Sequence, residues 1–189
     1  IMTATYTGTL TFDSTLTLTS TCTFIAGCTI AGTAGTLILT GAATVTSGGK
    51  TITCALTLAT GLATLTLADN WTVNGLVSIS PTNSMTVTGN QITCAGGLRH
   101  TLNAVAGTTK FVITGGTWDQ TGGTSVNSSI DLAGNVTVSG TVTFGTTGRT
   151  LTYVSGTITT TGSTLNSQNG STINTVGVTW NNLGFTSAS

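Results

Sequence analysis

Thr15-Leu16-Thr17-Leu18-Thr19-Ser20-Thr21-Cys22-Thr23-Phe24 carries threonine at every odd position and, Ser20 apart, an apolar residue at every even one. A period of two puts the threonines on one side of an extended chain and Leu16, Leu18, Cys22 and Phe24 on the other. Just before it, Thr3, Thr5, Thr7, Thr9 and Thr11 are set against Ala4, Tyr6, Leu10 and Phe12. Shorter copies follow at Thr51-Ile52-Thr53-Cys54, Thr64-Leu65-Thr66-Leu67 and Thr141-Val142-Thr143-Phe144. Gly, Asn and Ser punctuate them, as at Ser47-Gly48-Gly49, Asn74-Gly75 and Gly145-Thr146-Thr147-Gly148. Short strands that cover a core on one side follow from this pattern.

Composition agrees. Charged residues are 4% of the 189-residue chain, against about 25% in an ordinary soluble domain. Glutamate is absent, proline occurs once at Pro81, and glycine occurs 26 times. Threonine takes roughly a quarter of all positions. Thr and Gly are poor helix formers, and little Glu, Lys or Arg is present to offset them. The branched β-carbon of threonine suits a pleated surface, so the chain is expected to be all-β. Disordered chains combine low hydrophobicity with high net charge, and here the net charge is zero.

Zero net charge favours self-association and argues against a nucleic-acid partner, which needs a basic surface. No apolar run reaches the roughly 20 residues of a membrane helix. Strand runs of about five residues and few aromatics do not suit a membrane barrel, so membrane insertion is not expected. The chain opens Ile1-Met2 without a secretory signal pattern, which is read as a processed or partial product.

Internal repetition sharpens the fold. Leu67-Ala68-Asp69-Asn70-Trp71-Thr72-Val73-Asn74-Gly75 is echoed by Leu132-Ala133-Gly134-Asn135-Val136-Thr137-Val138-Ser139-Gly140. Thr117-Trp118-Asp119 returns as Thr179-Trp180-Asn181. A hexapeptide occurs at Gly49-Lys50-Thr51-Ile52-Thr53-Cys54, Gly89-Asn90-Gln91-Ile92-Thr93-Cys94 and Gly148-Arg149-Thr150-Leu151-Thr152-Tyr153. Similar strands between similar turns indicate stacked coils. The expected fold is a parallel β-helix or β-solenoid, one elongated domain over residues 1–189. Taking three coils per long repeat gives roughly nine coils of about 21 residues and a rod of about 43 Å. The alternative is an antiparallel β-sandwich or jelly roll, with Asn74-Gly75 as a hairpin turn.

Candidate sites are few. Cys22, Cys54 and Cys94 share the parity of apolar neighbours, and Tyr153 takes the cysteine position in the third hexapeptide, so core packing is the leading assignment. Cys22 with Cys28 is the candidate disulfide. His100 is the one histidine and no C-x-x-C occurs, so no metal site is expected. Trp71 shares parity with Val73 and is assigned to the core. For Trp118 and Trp180, each near a turn, packing is the leading role and contact with a glycan the alternative. Gly48-Gly49-Lys50-Thr51 lacks the leading glycine of a phosphate loop, since position 44 is Thr44. Asp119 and Asp131 are the pair of carboxylates most able to meet across coils, yet their setting is ordinary turn chemistry. The sequons at Asn70, Asn127, Asn135 and Asn169 match chance for this composition. No enzyme activity and no cofactor are expected.

Gly177-Val178-Thr179-Trp180-Asn181-Asn182-Leu183-Gly184-Phe185-Thr186, with Leu165-Asn166 and Ile173-Asn174-Thr175, resembles repeat units of large Thr/Gly-rich virion proteins of tailed bacteriophages. The segment Ile130–Val142 is similar to the same class and to bacterial surface β-solenoid adhesins. Together these cover about a third of the chain. The resemblance implies a tail-fibre, spike or capsid-surface component, on a virion or outside the cell, and supplies no catalytic residue. A second, one-coil resemblance joins Thr21-Cys22-Thr23-Phe24-Ile25-Ala26-Gly27-Cys28 to the beetle antifreeze repeat.

Strand-like sequence from residue 3 to Phe185 shows no polar cap, so the chain is expected to abut further sequence or another subunit. The functional expectation is therefore a non-enzymatic fibre component aiding host attachment. Its partners would be copies of itself, other fibre or virion subunits, and a host-surface glycan. Two alternatives stand beside it: a pilus-like filament subunit that donates Met2–Phe12 as a strand, and an ice-binding solenoid.

Overall fold

The computed structural model describes residues 9–19, 22–23, 29–32, 35–40, 43–46, 51–59, 64–67, 69–80, 85–100, 105–120, 126–144, 148–168 and 170–186. Among the described residues every regular element is a strand. The strands form three sheets of nine, eight and nine members, and a strand's neighbours in its sheet are the third before and the third after it in sequence, except that the last strand, Asn182–Thr186, pairs with Thr164–Gln168 two strands earlier. One coil shows the plan. Gln91–Cys94 lies on the first face, Gly97–His100 on the second and Val105–Gly107 on the third. The chain then returns to the first face with Lys110–Ile113, parallel to Gln91–Cys94.

Paired residues lie from 18 positions apart, as Val126 opposite Phe144, to 23, as Phe144 opposite Ser167. This is a three-sided parallel β-solenoid. The coil length and count expected from the repeats agree with it, and the sandwich alternative does not. Asn74-Gly75 is no hairpin turn. It forms the corner between Trp71–Val73 on the first face and Val77–Ile79 on the second.

Alternation maps directly onto inside and outside. On the first face Ile30, Ile52, Val73, Cys94, Ile113 and Leu132 stack in one inward column, each 0% exposed. On the second face Leu37, Leu56, Val77, Leu98, Trp118 and Val138 form another. Each fully buried side chain contributes roughly 1.5–3 kcal/mol, and the chain repeats that gain coil by coil without a thick globular core. Most parallel sheets are covered on both faces. Here only the inner face is covered, which is why strict alternation survives in the sequence.

The corners explain the glycines. Gly116, at φ +71°, sits at the turn from first to second face, where a β-carbon would run into the Gly96 carbonyl of the coil beside it. Gly156, at φ +91°, meets Gly134 in the same way. Asparagines brace other corners across coils: Asn70 Oδ1 accepts from Gln91 N at 3.1 Å, and Asn135 Oδ1 accepts from Thr157 N at 3.0 Å.

These two asparagines correct one inference from the repeat. They are equivalent in the 65-residue echo, yet Asn70 precedes a first-face strand and Asn135 a second-face strand. The echo repeats a strand–corner–strand unit and arrives three coils and one face later. The hexapeptides do stay on the first face. Cys94 and Tyr153 occupy one column through Ile113 and Leu132, whereas the first copy is shifted, with Ile52 rather than Cys54 aligned to Cys94.

Candidate functional site

The inner column that runs through Leu132 changes at the eighth first-face strand, Thr150–Ser155. Leu132 pairs with Tyr153, but Ala133 pairs with Ser155, so Val154 is an extra residue. Such a bulge bends its strand and re-aims the side chains beside it. Tyr153 is accordingly half-buried where Cys94 and Leu132 are sealed, its hydroxyl donates to Gly156 O at 3.0 Å, and Val154 is 54% exposed.

Beside the bulge lies a shallow open groove of about 270 Å³, lined by Tyr153, Gly156, Thr157, Ile158, Gly177, Val178 and Thr179. It offers an aromatic ring, two threonine hydroxyls and exposed peptide groups, with no charged side chain in its lining. That chemistry suits a neutral, polyhydroxylated ligand held by stacking and hydrogen bonds. The sequence did signal it faintly: Tyr153-Val154 places two apolar residues in succession, a break in the alternation that was not singled out.

The two glycan-contact candidates separate. Trp118 is 0% exposed in the second-face column between Leu98 and Val138, which bears out packing and corrects the glycan alternative, since its ring has no face for a sugar. Its position near a turn hid the fact that its parity matches Leu98. Trp180 is half-buried against the core, next to the groove residue Thr179, and its Nε1 donates to Thr175 Oγ1 at 3.0 Å.

Carboxylates do not converge. Asp119, on the second face, accepts from Arg99 Nε at 3.3 Å, and Asp131, on the first, accepts from Lys110 Nζ at 2.6 Å. Each pair bridges adjacent coils, and the proposed meeting of Asp119 with Asp131 does not occur. Among the described residues no three His, Cys, Asp or Glu side chains gather as metal ligands.

Cys54 and Cys94 are free and buried. Burial raises both thiol pKa values above the ordinary 9.0, so both sulfurs are protonated and inert at neutral pH. Cys22 lies on a third-face strand, but Cys28, its expected disulfide partner, lies outside the described residues, as do the Gly48-Gly49-Lys50 turn and Asn169. His100 is fully buried at the end of Gly97–His100, directly in register with Ile79.

No family model, curated protein or solved structure matches the chain.

Proposed function

We propose that the chain is a non-enzymatic structural component of a surface fibre, on a virion or a cell, that contributes to attachment. The observation that carries this reading is the unbroken parallel stack from Thr9–Phe12 to Asn182–Thr186. A column of coils with a solid core and a hydroxyl-rich, nearly uncharged exterior supplies length and stiffness, which is what a fibre shaft needs. The open groove at Tyr153 supports a second element of the reading, contact with a neutral surface saccharide.

Antibodies raised against the chain test the role by immunogold electron microscopy of particles and cells from its source. Gold on projecting fibres is the expected result. Gold confined to the cell interior would overturn the proposal.

One observation favours ice binding as a second reading. On the third face the backbone register places Thr44, Thr66 and Thr88 in one column, with Thr64 beside Thr86. The array ends one coil later, where Ala106 and Gly107 stand opposite Thr86 and Val87. Thermal hysteresis at micromolar protein would establish that reading over the fibre. Strand donation is the weaker alternative, because Thr9–Phe12 of the donor segment already pairs with Thr29–Gly32 of its own chain; residues 2–8 lie outside the described set.

A further inference from the structure

Three buried polar atoms without hydrogen-bond partners fall on three successive coils at one corner. They are Thr109 Oγ1, Ser128 Oγ and Arg149 Nε. Each residue stands two positions before a member of the inward column Phe111, Ile130 and Leu151, which are paired in register. Thr109, Ser128 and Arg149 therefore form a column of their own where the chain turns from the third face onto the first. Thr109 and Ser128 are 0% exposed. The neighbouring backbone is tightly tied, with Phe111 N donating to Ser129 O at 3.0 Å and Thr150 N to Ser129 Oγ at 3.3 Å.

A buried polar atom left unpaired costs about 1–3 kcal/mol, more beside a charge. One orphan is an ordinary exception, but three in one column call for a common occupant. Arg149 decides its sign. A guanidinium only donates, and a serine or threonine hydroxyl rotates to donate. Among the described residues Arg149 makes no ion pair, and no described side chain offers it a carboxylate: glutamate is absent, Asp119 and Asp131 face Arg99 and Lys110, and Asp69 accepts from Trp71 Nε1. Asp13 belongs to the first coil, far down the stack from Arg149. Arg149 as a residue is only partly buried, but its Nε is sealed at this corner, and an anion answers that donor and both hydroxyls where a water answers the hydroxyls alone.

We propose that this corner is an anion site, in which a monovalent inorganic anion of halide size sits at Ser128 between Arg149 and Thr109. Successive coils are about 4.8 Å apart, a spacing that lets one ion be reached by donors from adjacent coils. The ion neutralises the one described cation that lacks a carboxylate and ties three coils together at a corner.

Crystals of the protein soaked in sodium bromide, with diffraction recorded at the bromine absorption edge, test the site directly. The expected result is an anomalous peak within hydrogen-bond distance of Ser128 Oγ and Arg149 Nε, absent in Ser128→Ala. A water without anomalous signal at that position, or bromide only elsewhere, overturns the proposal. In solution, bromide at several times its dissociation constant should raise the wild-type Tm by about 3 °C at fixed ionic strength. Arg149→Gln should lose that shift, and equal shifts in both proteins would also overturn the site.

Discussion

Cys94 shows how much of a residue's role the solenoid decides. Its thiol fills a slot that Ile52, Val73, Ile113 and Leu132 fill in other coils, and its weak S–H points to Ile92 O at 3.8 Å. Burial raises its pKa above the 9.0 of an exposed thiol, which gives stability a pH dependence of definite sign. Below pH 9 both folded and unfolded states hold the proton, and the contribution is constant. Above pH 9 only the unfolded state releases it, so stability falls as pH rises, by up to about 1.4 kcal/mol per pH unit per thiol. Urea midpoints measured from pH 7 to 10.5 should bend downward above pH 9, and Cys94→Val should remove its share of the slope. The same replacement at pH 7 should cost under about 1.5 kcal/mol, because the slot already accepts aliphatic residues. At Gly116 the opposite holds. Gly116→Ala adds a β-carbon at positive φ against the Gly96 carbonyl, and should lower stability by about 1–3 kcal/mol in the same urea assay.

The role of Cys94 was legible, because the hexapeptide exchanges cysteine with Tyr153 in a column they share. Trp118 was legible only in part: packing was its leading role, but glycan contact stayed open beside it. Turn proximity competed with parity, and parity won because the second-face column continues through it. The half-buried Tyr153 at the groove was hidden, since nothing in a local pattern announces that one extra residue, Val154, breaks the register with the coil before.

Strands and corners are where the sequence repeats carried real but displaced information. The unit that recurs after 65 residues is a strand, an asparagine corner and the next strand, and it stands at the third-to-first corner in one copy and the first-to-second corner in the other. Face assignment depends on counting whole coils of variable length, from 18 to 23 residues, which no local pattern supplies. A side chain also takes part in the backbone pairing between coils. Gln120 is 1% exposed, its Nε2 donates to Thr143 O at 3.1 Å, and its Oε1 accepts from Thr143 N at 2.7 Å. Among the described residues the third-face strand Val126–Asn127 pairs with Thr141–Phe144 at Val126 and Phe144. The amide of Gln120 thus mimics a peptide group toward the backbone of Thr143. Gln120→Ala should cost about 2 kcal/mol, since it leaves two Thr143 backbone groups unpaired. Native-state hydrogen exchange should place the loss at the Thr143 amide; unchanged protection there would remove Gln120 from this role.

Across the whole molecule, stability comes from repeated burial and backbone ladders rather than from charge. The two cross-coil ion pairs are largely exposed on their cationic side, at 50% for Arg99 and 42% for Lys110, and such pairs contribute about 0.2–1 kcal/mol each. Asp119→Asn should therefore shift the unfolding midpoint only slightly, and salt should not change that small difference by more. The proposed fibre role, the proposed saccharide contact at the bulge and the proposed anion site all presuppose one continuous parallel stack.

The most direct test places nitroxide labels on the outward first-face column of Thr51, Thr72 and Thr93, in a background whose native cysteines are replaced. Register pairs Thr51 with Thr72 and Thr72 with Thr93. Labels at 72 and 93 should show the strong spin exchange of backbones about 5 Å apart, and labels at 51 and 93 the dipolar broadening of about 10 Å. Separations that do not double in this way, or a 72–93 pair without exchange, would contradict the stack and everything built on it.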